Sequence, residues 1–584
     1  MTADQSLQLA SEHQAAGRAG EARAICQKIL TSEPNHPAAL RLLGAVCLGM
    51  GQLAESAAAF RRVIQLQPMR ADGYNNLANV LMGMGNLQEA VSMFAAAARL
   101  APSDATVQCN LGFALTSVGR FDEAMVALNR AIEIDPNDAE SHNNLGIAQK
   151  ESKLIAKAIS SYRRAIELKP NYAEAYNNLG NALRANQQTD EAAAAYLRAI
   201  EFKANYAEAY NNLANFDAAE GRFEQAITAY KRAIQINPKL FEAHVGLGKA
   251  LIDSGGFSEA LEVYDRALRL KSDDPELRLN RSLLLLMHGD FARGLPEYEW
   301  RWKVKGLVTQ RPFAQPVWDG RDLNGKAILI HNEQGFGDTI QCLRFIPLIA
   351  ARGGRIIVGC PPPLVRLLAQ LPDISRIVTD GDPMPDFDFH CPMMTLPLVF
   401  KTDLRSIPPP IILKPDPATA EAWRQKLAVD PSPRKIGLSW AGNPSHVHDQ
   451  NRSMNLSQFA PLAQIRETSF YSLQFGEGAK QSPPPGLILR DFTSELKDFA
   501  DTAALIANLD LVLTVDTAVA HLAGSMGKPV WVLLPFKPDW RWMLRREDSP
   551  WYPTMRLIRQ TAVGDWQNVI LRVRELLQEY TIPA

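Results

Sequence analysis

Three short segments of this 584-residue chain combine glycines with groups able to take up a proton or hold an anion, each at the end of an apolar run. In the first, the run KAILIH leads through Glu333-Gln334-Gly335-Phe336-Gly337-Asp338 into a helix expected from near Thr339. The glycines permit a tight strand-to-helix turn. Asp338 lies near the helix N-terminus, where aspartate is also a favoured cap, and His331 and Glu333 are further titratable groups of the same loop. In the second, LDLVLTV precedes Asp516-Thr517-Ala518-Val519-Ala520-His521-Leu522-Ala523-Gly524. A helix starting there aims free backbone amides and the positive end of its dipole at the strand end, which suits a diphosphate. His521 is in phase with that first turn, although a lone histidine is more often structural. In the third, Ser439-Trp440-Ala441-Gly442-Asn443-Pro444-Ser445-His446 runs into Asp449-Gln450-Asn451-Arg452-Ser453. Arg452 there offers a guanidinium that engages two phosphate oxygens at once, or else a solvated surface charge. Farther on, Trp540 and Trp542 are suited either to stacking a base or sugar ring or to packing the C-terminal helix.

The elements that would position these groups are legible from about residue 325 onward. Short apolar runs (KAILIH, RIIVGC, RIVTD, DFDFHCPM, then KIGLSWAG, FYSLQF, LDLVLTV and PVWVLL) alternate with helical stretches. That alternation marks parallel sheets with crossover helices. A Pro-rich bridge, SIPPPIILKPDP, separates the two series. They read as two Rossmann-like halves, 325–415 and 416–584, with ligands expected at the carboxyl ends of the strands.

The first half of the chain is repetitive. Prolines stand at 34, 68, 102, 136, 170 and 238, with Ala204 and Ser272 at the skipped places, so every interval is a multiple of 34. Leu77, Leu111, Leu145, Leu179, Leu213 and Leu247 recur, each followed by Gly or Ala, and a bulky column runs from Phe60 and Phe94 to Tyr230 and Tyr264. Small residues admit close helix pairing, bulky ones fill the groove to the next unit, and proline ends the second helix. This spacing resembles the tetratricopeptide (TPR) family: eight repeats fit residues 3 to 274, with a degenerate ninth as cap. The resulting assignment is a TPR solenoid over 1–304, a linker over 305–324, and then the α/β halves. A further column holds Asn76, Asn110, Asn144, Asn178, Asn212 and Asn280, with Gly246 as its exception. Carboxamides both donate and accept, so such a ladder could hold an extended peptide backbone; it could equally bridge neighbouring helices. The column resembles the asparagine ladder of O-linked N-acetylglucosamine transferases, which implies a protein acceptor on the concave repeat surface.

The α/β motifs resemble those of bacterial heptosyltransferases, over residues 325 to 575. The resemblance implies a GT-B glycosyltransferase fold and an inverting, metal-independent transfer. Asp338 would be the general base that a weakly nucleophilic hydroxyl requires, with Glu333 and His331 of the same loop as alternative bases. Gly337, Arg452, Thr517, Ala518, Val519 and His521 would hold the nucleotide-sugar, a co-substrate; no separate cofactor is implied. One departure stands out, because the family carries glycine where this chain has Ala518. The combined expectation is α-solenoid plus α/β, with transfer of a sugar to a recruited protein. The alternatives are a transferase acting on a glycan or lipid, or a binding scaffold with a degenerate catalytic domain.

Composition bounds the rest. With 62 basic and 63 acidic residues the net charge is −1, which disfavours nucleic-acid and membrane-surface partners. The six cysteines are scattered without a CxxC pair, no secretory leader pattern opens the sequence, and no apolar run has the length of a membrane span. A cytoplasmic protein is expected.

Overall fold

The computed structural model describes residues 2–309, 311–445 and 449–581. The chain divides into two compact units, Met1–Gly246 and Leu247–Ala584.

In the first unit, 13-residue helices begin at Ala3, Pro37, Ala71, Ala105, Ala139, Ala173 and Ala207, and each is followed by a 14-residue partner, from Ala19–Ser32 to Phe223–Ile236. Their starts are 34 residues apart, as the proline spacing requires. The small and bulky columns are one contact seen from its two sides. A Cβ added at Gly112, Gly146 or Gly180 would fall 2.4, 2.6 or 2.7 Å from Leu128, Tyr162 or Tyr196 respectively. Between paired helices the chain turns through positive φ at Gly17, Gly51, Gly85, Gly119 and Gly221, while Lys153 and Gln187 hold the same place at φ 64° and 61°.

The expected boundary at residue 304 lies inside the second unit. The last repeat helices, Phe257–Leu270, Pro275–Met287 and Phe291–Tyr298, belong with the α/β part. Aromatic packing explains this: Phe291 stacks on Trp551 and meets Trp540 edge-on, both at 6.0 Å between ring centroids. Gly255 also lies against Phe536.

Among the described residues the strands form two sheets, parallel throughout. The smaller contains β1 (Ala327–His331), β2 (Arg355–Gly359), β3 (Ile374–Val378) and β4 (Phe389–Pro392) in the order 3-2-1-4. The larger contains β5 (Arg434–Ser439), β6 (Thr468–Ser472), β7 (Leu489–Arg490), β8 (Leu511–Val515), β9 (Val530–Leu534) and β10 (Met555–Arg559) in the order 10-9-8-5-6-7. Counted from its own first strand, that is the doubly wound order 3-2-1-4-5-6. Strands β1, β8 and β9 are buried along their whole length, as strands covered by helices on both faces must be. The larger core joins Ile436, Leu438, Leu513 and Leu533 to Val569, Ile570 and Val573 of the helix Trp566–Glu579.

Candidate functional site: the crevice at the strand ends

In a doubly wound sheet the crevice opens where the strand order reverses. Here those points lie between β1 and β4 in one sheet and between β5 and β8 in the other. The chemistry-bearing loops leave β1, β5 and β8 at these ends. The helix after β1 spans Phe336–Cys342 and starts earlier than expected, with Gly335 as its cap. The helix after β8 spans Ala518–Ser525, with Thr517 at the N-cap position but making no capping hydrogen bond with its side chain. The two helices touch at their first turns. A Cβ on Gly337 would stand 2.7 Å from Cδ2 of His521 and 3.5 Å from Cα of Ala518, so glycine is required there for the approach.

Asp338 is engaged through both oxygens. Its Oδ2 accepts the Gly335 N–H at 2.8 Å, closing the helix end, and its Oδ1 is ion-paired with Nη2 of Arg541. Arg541 is buried and also donates to Gln341 and, at 2.9 Å, to Asp539. Burial opposes its charge, but Asp539 and Asp338 outweigh it and hold the guanidinium firmly protonated. Arg541 has a sequence signal only in retrospect: it is the cation between the two tryptophans of Asp539-Trp540-Arg541-Trp542.

Glu333 has a different environment. Its side chain is buried, and Oε1 accepts from Nε and Nη2 of Arg301 at 3.1 and 2.8 Å. Its Oε2 is buried without a hydrogen-bond partner. Arg301 comes from the short 3-10 turn Glu299–Lys303 that ends the repeats. It is fully buried, donating also to Glu299 at 2.6 Å, to the Tyr298 carbonyl at 3.3 Å and to Thr395 at 2.8 Å. Burial pushes the Glu333 carboxyl up to about 7 against the opposing pull of Arg301. His331 joins none of this. Its Nε2 lies 3.3 Å from Nδ1 of His390, Phe313 packs on both rings, and burial with His390 drives it down to about 3. It is a neutral core residue.

Across the crevice, the Thr517 hydroxyl bonds to that of Thr514 at 3.0 Å and leaves the amides of the helix start uncapped by any side chain. Val519 is buried, so its side chain belongs to the core. His521 is buried, with Nδ1 3.0 Å from the Tyr552 hydroxyl. Burial, then Arg541, Arg344 and Arg452, push its pKa far down, so His521 offers a neutral nitrogen. Asp516 is pushed up to about 6 by burial and by the like charge of Asp539. Arg452 pairs with Asp449 at 3.2 Å and packs over Gly442. Gln474 fixes the loop after β5 by accepting from the amides of Trp440 and Ala441 at 2.9 and 2.8 Å. His446 lies outside the described residues. Trp540, Trp542 and Trp551 are buried, their indoles serving as core. Chemically, the strand ends carry an arginine and helix amides on one sheet and two carboxylates on the other, one engaged through both oxygens and one with a buried, unpartnered oxygen.

The asparagine column bridges adjacent repeats. Nδ2 of Asn110, Asn178 and Asn212 donates to Oδ1 of Asn75, Asn143 and Asn177 at 3.0, 3.1 and 2.9 Å, and Nδ2 of Asn144 lies 3.4 Å from the Cys109 sulfur. Asn76 and Asn280 have Arg41 and Val245 at the corresponding earlier place, where no carboxamide is available. At Gly246 a side chain is excluded, since a Cβ would fall 2.4 Å from the Tyr230 ring. The Oδ1 of Asn211, which that side chain would have met, is buried and unpartnered. Three of the six asparagines thus spend a donor on the asparagine of the preceding repeat, a pairing that the one-dimensional sequence could not reveal.

Comparison with known proteins agrees with the helical part. Profiles described as tetratricopeptide repeat match residues 13–80, 70–101 and 217–284, and a TPR repeat profile matches 114–153, 155–186 and 180–216. Protein FlbA of Caulobacter vibrioides is 25% identical over 295 residues, covering 45% of this chain and 48% of FlbA. The chain therefore spans about half the length of the curated relative it matches. Among solved structures, MamA is 31% identical with a TM-score of 0.26, over 28% of this chain and 95% of MamA. YrrB, described as a TPR protein with an unusual peptide-binding site, is 26% identical with a TM-score of 0.26, over 32% of this chain and 96% of YrrB. No helix among the described residues is long and apolar enough to cross a membrane. Within residues 13–284 the chain is an array of tetratricopeptide repeats.

Proposed function

We propose that residues 247–584 form a glycosyltransferase of GT-B type, moving a sugar from a nucleotide-sugar donor to a protein recruited by the repeats. The observation that carries this reading is the switch point between β5 and β8. There the uncapped amides of the Ala518–Ser525 helix and the guanidinium of Arg452 share the crevice with the carboxylate loop after β1. Amides and cation would hold the donor diphosphate and stabilise its charge as it leaves. A carboxylate of the β1 loop would take the acceptor proton. The repeats, a scaffold suited to protein partners, would raise the acceptor's local concentration.

The test is thermal stabilisation by a panel of nucleoside mono- and diphosphates. One nucleotide at a hundredfold excess over its Kd is expected to stabilise the protein by about 2.7 kcal/mol. The Arg452→Ala, Thr517→Val variant is expected to lose most of that effect. No response to any nucleotide would favour the second reading, a non-catalytic scaffold. The contact of Gly337 with Ala518 and His521, where the expected glycine at 518 is missing, is the observation on that side.

A further inference from the structure

We infer that Glu333 is the proton acceptor of the transfer and that Arg301, from the segment ending the repeats, is the residue that positions it. The inference rests on the transferase reading and adds what that reading leaves open. Both carboxylates stand on the loop and helix start that follow β1, but their oxygens are not equally engaged. Asp338 spends one oxygen on the Gly335 amide and the other on Arg541. Protonating it would dismantle a helix end or an ion pair. Glu333 spends only Oε1, held from two nitrogens of Arg301, and keeps Oε2 buried and unpartnered. A buried acceptor without a donor is costly to keep, and an acceptor hydroxyl brought to it would relieve that cost. The Arg301 fork is itself fixed by Glu299, Thr395 and the Tyr298 carbonyl, so the Glu333 carboxylate has one orientation.

In the step, the acceptor O–H gives its proton to Oε2 of Glu333. The acceptor oxygen forms the new bond to the anomeric carbon. The bond from that carbon to the donor phosphate oxygen breaks, and its electron pair leaves with the nucleotide. The groups facing Glu333 are Arg301 and Glu299 from the repeat-ending turn, Asp338 and Cys342 from the following helix, and Cys391 from β4. Their sum, with burial, sets the carboxyl near neutrality, where a general base works well.

The test uses the full chain with UDP-, GDP-, ADP- and CMP-linked sugars, reading released nucleotide. With the donor that wild type cleaves, Glu333→Gln is expected to lower kcat by about a hundredfold or more, with donor KM and nucleotide-induced thermal shift unchanged. Glu333→Asp is expected to recover part of that loss, and Arg301→Lys to keep more activity than Arg301→Ala. Asp338→Asn is expected to cost less than tenfold. Wild-type kcat is expected to fall on an acid limb centred at about 7, which the residual activity of Glu333→Gln lacks. Independently of turnover, infrared difference titration should show a protonated-carboxyl band ionising near neutrality that disappears in Glu333→Gln. Wild-type turnover with Glu333→Gln within tenfold of it, or absence of that titrating band, overturns the assignment while leaving the transferase intact. Cleavage of no donor by wild type overturns the transferase reading and this assignment with it.

Discussion

Two acidic side chains five residues apart, Glu333 and Asp338, meet opposite fates because each meets a different arginine. Arg541 and the Gly335 amide leave Asp338 no spare oxygen, whereas Arg301 leaves Glu333 one. The buried Glu333 carboxyl at about 7 stands above its unfolded value of about 4.3. The native state therefore binds more protons than the unfolded state between those values, and this group's contribution to stability falls as pH rises through that window. Denaturation midpoints at about pH 5 and about pH 8 should differ less in Glu333→Gln than in wild type; an unchanged difference would show that Glu333 is not the titrating group. The acidic loop itself was legible as Glu-Gln-Gly-Phe-Gly-Asp, as were Arg452 and the helix start at Thr517. The arginines were not. Arg301 lies 32 residues before Glu333 and Arg541 lies 203 after Asp338, and nothing local in a sequence states such a pairing.

At the level of elements, the repeats were readable because their period is enforced by contact. The glycine column exists where a Tyr or Leu side chain already fills the space of a Cβ. The buried strands β1, β5, β8 and β9 were equally plain as apolar runs. The edge strands β7 and β10 were missed, since Leu489–Arg490 and Met555–Arg559 carry arginines on the half-exposed rims of the sheet. The bridging role of the asparagines was one of two open readings until donors and acceptors could be paired. That pairing predicts unequal costs within one column. Asn177→Ala removes the acceptor of Asn212, whereas Asn211→Ala removes an oxygen that has no donor. The first is expected to destabilise by about 1 kcal/mol more than the second in urea unfolding, and equal costs would mean the bridges contribute nothing net.

For the whole molecule, the division at Gly246 and Leu247 predicts how it unfolds. Calorimetry of the full chain is expected to show more than one transition. A bound nucleotide is expected to raise only the transition of residues 247–584. A single transition moving as one with nucleotide would mean the two units are energetically fused. The 34-residue period has a further consequence, for descent and not for stability. Each bridging asparagine meets a partner 35 residues earlier. Removing residues 173–206 would therefore set Asn212 beside Asn143, a carboxamide acceptor like the one it lost. Loss of that particular unit leaves the joint matched, whereas loss of residues 139–172 would set Asn178 against the Cys109 sulfur. Array length can therefore change by one unit at such a place with its asparagine joint kept.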